Sequence, residues 1–428
     1  MESHAAVSAR RAGACDLNES TEGKGASKTF HLGGGIISGA SDNDPTTVAT
    51  LAVIGATTVY RLVWLVLLII PMLVVIQAIS AAVGLVGKRG LEDLIRRRYG
   101  HVWAVITLLA VLSVTILTLA ADLEGGAAAL GLITGIPYGW FVIPFALLAG
   151  VLLVAGSYTQ IEGVLKFVPL IFLAYVVAAF LAHPDWHAVL MDILVPKFSG
   201  SSAYVAGAVA LLGTTLTSYA YVWETIEVAH DRPPLRRLGL VQADAALGMV
   251  FAGLTFFFIV VATGATLGVH HKEVQTAQDA ALALAPVAGK YASLLFGAGL
   301  FGSALLAVPV LAGTSAYVMA ETFGWRGSLD SKFPKARRFY GALLISLALG
   351  AIVASLGFSP IKLLFYSGIA GGLGTPLTLA LLILIARDAS VMGKHRISSL
   401  LAAAGWLVFA VVVGASLWYL ISLVHGGG

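Results

Sequence analysis

From about Leu32 onward the chain is a succession of long apolar runs separated by short polar stretches. Runs of about twenty such residues cross the roughly 30 Å of a bilayer's hydrocarbon as helices, and counting them predicts about eleven spans. They begin near Leu32, Leu62, Trp103, Gly139, Ile161, Tyr204, Leu240, Ala280, Phe339, Pro360 and Ser399. The pattern predicts an all-α polytopic membrane protein. Before about Lys28 the chain is Ala, Ser, Gly and charge with no apolar run. Residues 1–30 are therefore expected to be a disordered cytosolic tail rather than a signal peptide.

Two of the runs are interrupted where a span should be featureless. The first carries Ser41-Asp42-Asn43-Asp44-Pro45-Thr46-Thr47 at its centre. Proline removes a donor and clashes with the carbonyl one turn back, so the helix must break just before Pro45. Broken backbone at membrane depth is tolerated only where it is buried in protein or lines a cavity. A carboxylate beside freed carbonyls makes a cradle for a cation, as in transporters built on broken helices. The plainer alternative is a kinked helix whose second half Asp44 caps. The sixth run holds Gly213-Thr214-Thr215-Leu216-Thr217-Ser218-Tyr219 at its middle. Its hydroxyls either bond back to carbonyls one turn earlier or join the first break in one site.

An offset of five spans between the breaks is odd, so the second copy must insert upside down. The expected organisation is an inverted 5+5 repeat, with residues 31–198 as the first repeat, 199–388 as the second, and 389–428 as an appended eleventh helix and tail. Broken helices one and six then meet at the midplane. Further membrane acids are Asp122 and Glu124 in the third span and Glu224 in the sixth. Intramembrane acids default to ion or proton pathways. Glu124 is placed near the outer end of its span, where water is close; Glu224, Glu227 and Asp244 lie toward the cytoplasmic side, in reach of loop residues Arg232, Arg236 and Arg237.

Composition narrows the class. With 58% hydrophobic and 11% charged residues, an ordinary soluble protein is excluded. The lone Cys15 lies in the tail, so neither a disulfide framework nor a cysteine metal site is available. All ten histidines fall in the tail, loops or chain end, which removes the usual proton-relay side chain from the membrane interior. About twenty Lys and Arg lie in the tail and alternate loops, against about five on the other side (Arg61, Lys197, Lys272, Lys290, Lys362), which puts the N-terminus in the cytoplasm and the C-terminus outside. The net charge of +4 is this loop bias; no basic stripe suits nucleic acid.

With these residues in place, the chain resembles the Nramp family of divalent-metal transporters from about Leu32 almost to its end. The segment from Gly39 to Thr50 is similar to that family's broken first helix with its Asp-Pro-Gly-Asn signature, here Asp44-Pro45-Thr46-Thr47. The stretch from Gln77 to Gly87, the Gly135-Ile136-Pro137 turn, the Asp244 position and the tenth-helix end at Arg387-Asp388-Ala389-Ser390 match as well. The resemblance implies a LeuT-like fold, alternating access and a transported metal, with no cofactor and no enzymatic activity. Departures are equally specific. The family's sixth-helix Met-Pro-His falls on Thr217, Ser218 and Tyr219, its signature asparagine is Thr47, and a tenth-helix glutamine falls near Gly368. The third-helix glutamate of the proton route lands on Asp122, and the aspartate one turn earlier becomes Leu119. This pattern looks like the divergent Nramp-related branch associated with magnesium.

The expected ligands are Asp44, Thr47, Thr214 and Thr217, with Asp42, Asp122, Glu124, Tyr219 and Glu224 as supporting, gating or proton-route groups. The expected cargo is partly hydrated Mg²⁺ or Mn²⁺, moved without proton coupling. A proton-coupled Mn²⁺ and Fe²⁺ importer is the nearest rival; a non-transporting metal sensor and an intramembrane enzyme are rivals of other classes. Membrane lipid and the metal ions are the partners implied, and no obligate protein partner is evident.

Overall fold

The computed structural model describes residues 43–155 and 169–424, and the tail, Asp42 and the expected helix starts near Leu32 and Ile161 lie outside this range. Among the described residues every regular element is helical. In chain order these are α1 (Pro45–Thr58), α2 (Val63–Gly87), α3 (Leu91–Tyr99), α4 (His101–Thr134), α5 (Gly139–Val154), α6 (Pro169–Leu181) and α7 (Trp186–Leu194). There follow α8 (Ser202–Thr215), α9 (Ser218–Asp231), α10 (Leu238–Thr263), α11 (Ala292–Phe323), α12 (Arg337–Ala354), α13 (Pro360–Arg387) and α14 (Ser399–Val424).

Among the described residues, eight segments are long and apolar enough to cross a membrane, with α8 and α9 counted as one, and the pair α6 and α7, bent by 115°, makes a ninth. The shorter apolar α5 falls where the fourth span is expected, and α1 is the described part of the first. One boundary is corrected. The eighth span, expected from Ala280, becomes a continuous helix only at Ala292. Short helical turns precede it, because Pro286 restarts the helix and Gly289 has φ +51°. Hydropathy registers apolar content and is blind to both breakers.

The half-span α1 occupies the centre, packed against α4, α8, α10 and α13. The most extensive contact is that of α4 with α11, followed by α2 with α10. The appended α14 buries only Ala402, Gly405, Val408, Val412 and Ser416, one stripe at helical spacing, and rests that stripe on α13 and α8. Gly371 and Gly372 of α13 are close-packing positions: an added Cβ would stand 2.5 Å from Gly213 O and 2.8 Å from Val209 O, respectively.

The short α3, joining α2 to α4, is tied down from three sides. Its cap position is Gly90, which has no side chain to offer the first amides. Glu321 near the end of α11 fills that role, accepting from Asp93 N at 3.2 Å, and a Cβ on Gly90 would lie 2.1 Å from its Oε1. The hydroxyl of Thr225 on α9 accepts from Leu91 N at 3.1 Å. Arg89, Arg96 and Arg97 converge on Asp93 at 2.6, 2.5 and 2.9 Å. Arg98 pairs with Asp388 beyond the end of α13.

Beside this knot Glu92 is wholly buried and accepts from Thr107 Oγ1 at 2.7 Å. Burial, with the charge of Glu321 added, pushes its carboxyl up to about 8, against the opposing pull of the Thr107 bond. A carboxyl raised on folding binds its proton more tightly in the native state, so its stabilising contribution is complete below the unfolded value of 4.5 and is lost as pH rises through 8. Melting temperatures of the solubilised protein should therefore fall as pH rises from 4.5 to about 8 and level off above it. Glu92→Gln should flatten that fall; an unchanged slope would show that Glu92 is not the responsible group.

Candidate ion site

Asp44 stands at the break with extended backbone (φ −68°, ψ 165°), and Pro45 occupies the first helical position, where its missing N–H costs nothing. The carboxylate caps α1: Oδ1 accepts from Thr47 N at 2.6 Å. The plainer reading of this acid, a cap, is thus structurally real. It is also incomplete, because Oδ2 accepts from the Tyr219 hydroxyl of α9 at 2.6 Å.

The second break falls where the hydroxyl cluster predicts. The chain leaves α8 after Thr215 and enters α9 at Ser218, with Leu216 and Thr217 between. Near the close of α8, Thr214 O accepts from Thr47 Oγ1 at 3.5 Å. Thr217 holds the cap position of α9 without capping it, and its Oγ1 is buried with no hydrogen-bond partner, as is Ser218 Oγ. Thr47 and Thr214 join their hydroxyls at 3.0 Å. The half-span α1 is therefore stitched to both halves of the second broken helix, through Thr47 to α8 and through Asp44 to α9.

Asp122 reaches the same helix start from α4. Its Oδ1 accepts from Thr46 N at 3.1 Å and from Thr46 Oγ1 at 2.7 Å. Its Oδ2 is buried and makes no hydrogen bond, and Asp44 lies near enough for the two charges to oppose each other. On the far side of Thr46, Ser367 of α13 donates to its hydroxyl at 3.5 Å. Ser303 of α11 donates to Asn43 O, holding the chain just ahead of the break.

Of the expected residues, Asp44, Thr47, Thr214, Tyr219 and Asp122 are linked, Asp122 through Thr46, and Thr217 stands at the break two positions before Tyr219. Asp42 lies outside the described residues. Glu224 is buried on α9, five positions beyond Tyr219 in sequence, or about 7.5 Å along the helix axis. Glu124 requires a correction. Expected near water, it is wholly buried, and neither oxygen makes a hydrogen bond; the adjacent Tyr138 hydroxyl donates to Phe358 O at 3.1 Å. Position along a helix suggested access, but packing against neighbouring helices removed it. Thr46, Ser367 and Ser303 were not anticipated. A signal existed: Thr50 lies four positions beyond Thr46 and three beyond Thr47, one helical turn from each, and Thr50 Oγ1 is also buried without a partner.

No cluster of three His, Cys, Asp or Glu exists among the described residues. A cation here would meet one or two carboxylates plus hydroxyl and carbonyl oxygens, with neither thioether nor imidazole in the set. Buried oxygens without partners are sites that a cation or its water can satisfy.

A helix start capped by a buried carboxylate, facing a helix broken between Thr215 and Ser218 within a multi-pass helical bundle, is the arrangement of a membrane transporter of the LeuT-like kind. The model of the family described as natural resistance-associated macrophage protein-like matches residues 35–422. The divalent metal cation transporter MntH of Deinococcus radiodurans is 30% identical over 92% of this chain and 90% of its own length. This chain belongs to the Nramp family. Among solved structures, the Eremococcus coleocola manganese transporter superposes with TM-score 0.71 at 18% identity, over 91% of this chain and 85% of that one. Mhp1, a nucleobase-cation-symport-1 family transporter, superposes with TM-score 0.54 at 13% identity over 91% of each chain. Both likenesses describe the fold.

Proposed function

We propose that this protein carries divalent metal cations, Mg²⁺ and Mn²⁺, across the membrane as partly hydrated ions by alternating access, without proton coupling. The observation that carries this reading is the donor set. Asp44 accepts from the Tyr219 hydroxyl and the Thr47 amide, the Thr47 hydroxyl meets that of Thr214, and Thr217 at the break carries a buried, partnerless hydroxyl, so the donor set offered is oxygen. A thioether favours softer transition metals, whereas oxygen ligands suit Mg²⁺ and Mn²⁺. Magnesium dehydrates reluctantly and takes few protein carboxylates, which fits one principal acid and a ring of hydroxyls. The names of the relatives, divalent metal cation transporters and a manganese transporter, support the cargo class.

In this reading α1 and the broken pair α8 and α9 rock against a scaffold that includes α4, α11 and α13. Residues 31–198 and 199–388 are the inverted repeats, with the N-terminus cytoplasmic and the C-terminus outside. An interior at about −100 mV favours entry of a dication by roughly 4.6 kcal/mol, twice the single-charge value, so potential alone drives uptake. One observation favours the proton-coupled Mn²⁺ and Fe²⁺ alternative: Asp122 Oδ2 is buried without a partner and is the natural proton acceptor for that route. The relatives' names argue against a sensor or an intramembrane enzyme, and the latter lacks a nucleophile with an adjacent base.

Uptake into proteoliposomes under an imposed negative potential, with internal pH followed in the same vesicles, tests the proposal. Magnesium and manganese should enter without acidification. Manganese entry with acidification and no magnesium flux would overturn it in favour of the proton-coupled alternative.

A further inference from the structure

We infer that Tyr219 is a specificity-determining residue: its hydroxyl occupies one oxygen of Asp44 and so holds the site to ions that bind through their own water. The inference rests on the reading of Asp44 as the ion's principal carboxylate. Tyr219 follows the second break, as the second residue of α9, and is buried together with Asp44. Its hydroxyl donates to Asp44 Oδ2 at 2.6 Å while Thr47 N donates to Oδ1 at 2.6 Å, so each oxygen already accepts one strong, charge-assisted bond.

Such a bond has two consequences for an arriving cation. The positive end of the O–H dipole points toward the carboxylate that the ion must approach. One lone pair of Oδ2 is also spent, so inner-sphere binding there must compete with the phenol or displace it. A hydrated ion avoids this competition, because its coordinated waters donate into the lone pairs that remain and into the partnerless hydroxyls of Thr217 and Ser218. Magnesium keeps its water and is scarcely penalised. An ion that exchanges water for a protein oxygen more readily loses the advantage it would have over a bare carboxylate. Tyr219 therefore narrows the difference between the two cations.

The test is KM and maximal rate for Mg²⁺ and Mn²⁺ with the full-length protein in proteoliposomes, comparing wild type with Tyr219→Phe, which keeps the ring and its packing. Release of Oδ2 should lower the Mn²⁺ KM about tenfold, the scale of one charge-assisted hydrogen bond, and the Mg²⁺ KM less than about twofold. The maximal Mn²⁺ rate should fall as release slows. A rise in both KM values would make the phenol oxygen a ligand and overturn the inference. Parallel changes, or a loss of rate with both KM values unmoved, would reduce Tyr219 to packing and overturn it equally. Asp44→Asn in the same vesicles separates the two levels. A dead Asp44→Asn beside parallel Tyr219→Phe shifts sinks this inference alone, whereas normal flux through Asp44→Asn removes the site reading and this inference with it.

Discussion

Asp44→Asn should abolish uptake of every divalent cation while leaving the protein folded and as stable as wild type. The pairing of those two outcomes is the point. Asparagine is as good a helix cap as aspartate, so the bond from Thr47 N survives and α1 keeps its start. The amide nitrogen that replaces Oδ2 can donate to the Tyr219 oxygen in place of accepting from its hydroxyl. The charge is gone. A dication in a buried site without its counter-charge faces a desolvation penalty of several kcal/mol, and even about 2.7 kcal/mol of lost binding lowers flux a hundredfold. Asp44→Ala should be equally inactive but about 1 kcal/mol less stable, because the cap is lost, with a further cost for the stranded Tyr219 hydroxyl. Uptake assays alongside melting curves check both variants. Near-normal flux in Asp44→Asn would return this acid to the plainer role of a cap.

Legibility in the sequence followed the range of the physics involved. Local rules located the start of α1 at Pro45 and the break between α8 and α9. Proline after an acid, and a hydroxyl cluster where apolar residues are cheapest, needed no knowledge of the rest of the chain. The proposed oxygen-only donor set rests on the same grounds, through Thr47, Thr214 and Thr217. What could not be read was which side chains meet across the bundle. Tyr219 lies 175 residues from Asp44, and Asp122 lies 76 from Thr46. Nothing in the sequence near Tyr219 distinguishes a phenol that donates to a carboxylate from one that packs. Glu124 shows the converse: its distance along α4 implied nearby water, and its neighbours decided otherwise. Glu321 serves as the missing cap of α3 from the far end of another helix, a role that no capping pattern around Gly90 could announce. Helix identity is thus a short-range property here, whereas the chemistry of the site is assembled by contacts between helices.

Gly213→Ala should give a folded protein whose transport is at least tenfold slower, held with its site open to the outside. The reason is that the obstacle is backbone. A Cβ at Gly213 of α8 would lie 1.9 Å from Gly368 O, 2.1 Å from Gly372 N and 2.7 Å from Gly372 Cα. No rotamer change relieves such contacts, so α8 must move away from α13 by about the width of a methyl group. Close approach of small residues is how membrane helices gain packing energy, and losing it costs stability. Here it should also shift a conformational equilibrium. In the proposed mechanism α8 belongs to the part that rocks and α13 to the scaffold, so their contact forms only when that side is closed. A bias of about 1.4 kcal/mol against closure is enough to reduce the closed population tenfold. The single native cysteine makes this directly observable. In a Cys15→Ser background, a cysteine introduced at Thr50, which is buried on α1 and faces Gly368, should resist an impermeant thiol reagent. The same cysteine should react once Gly213→Ala is added. A Gly213→Ala protein that transports normally and leaves position 50 protected would mean that the glycine contact only packs α8 on α13 and does not gate the path to Asp44.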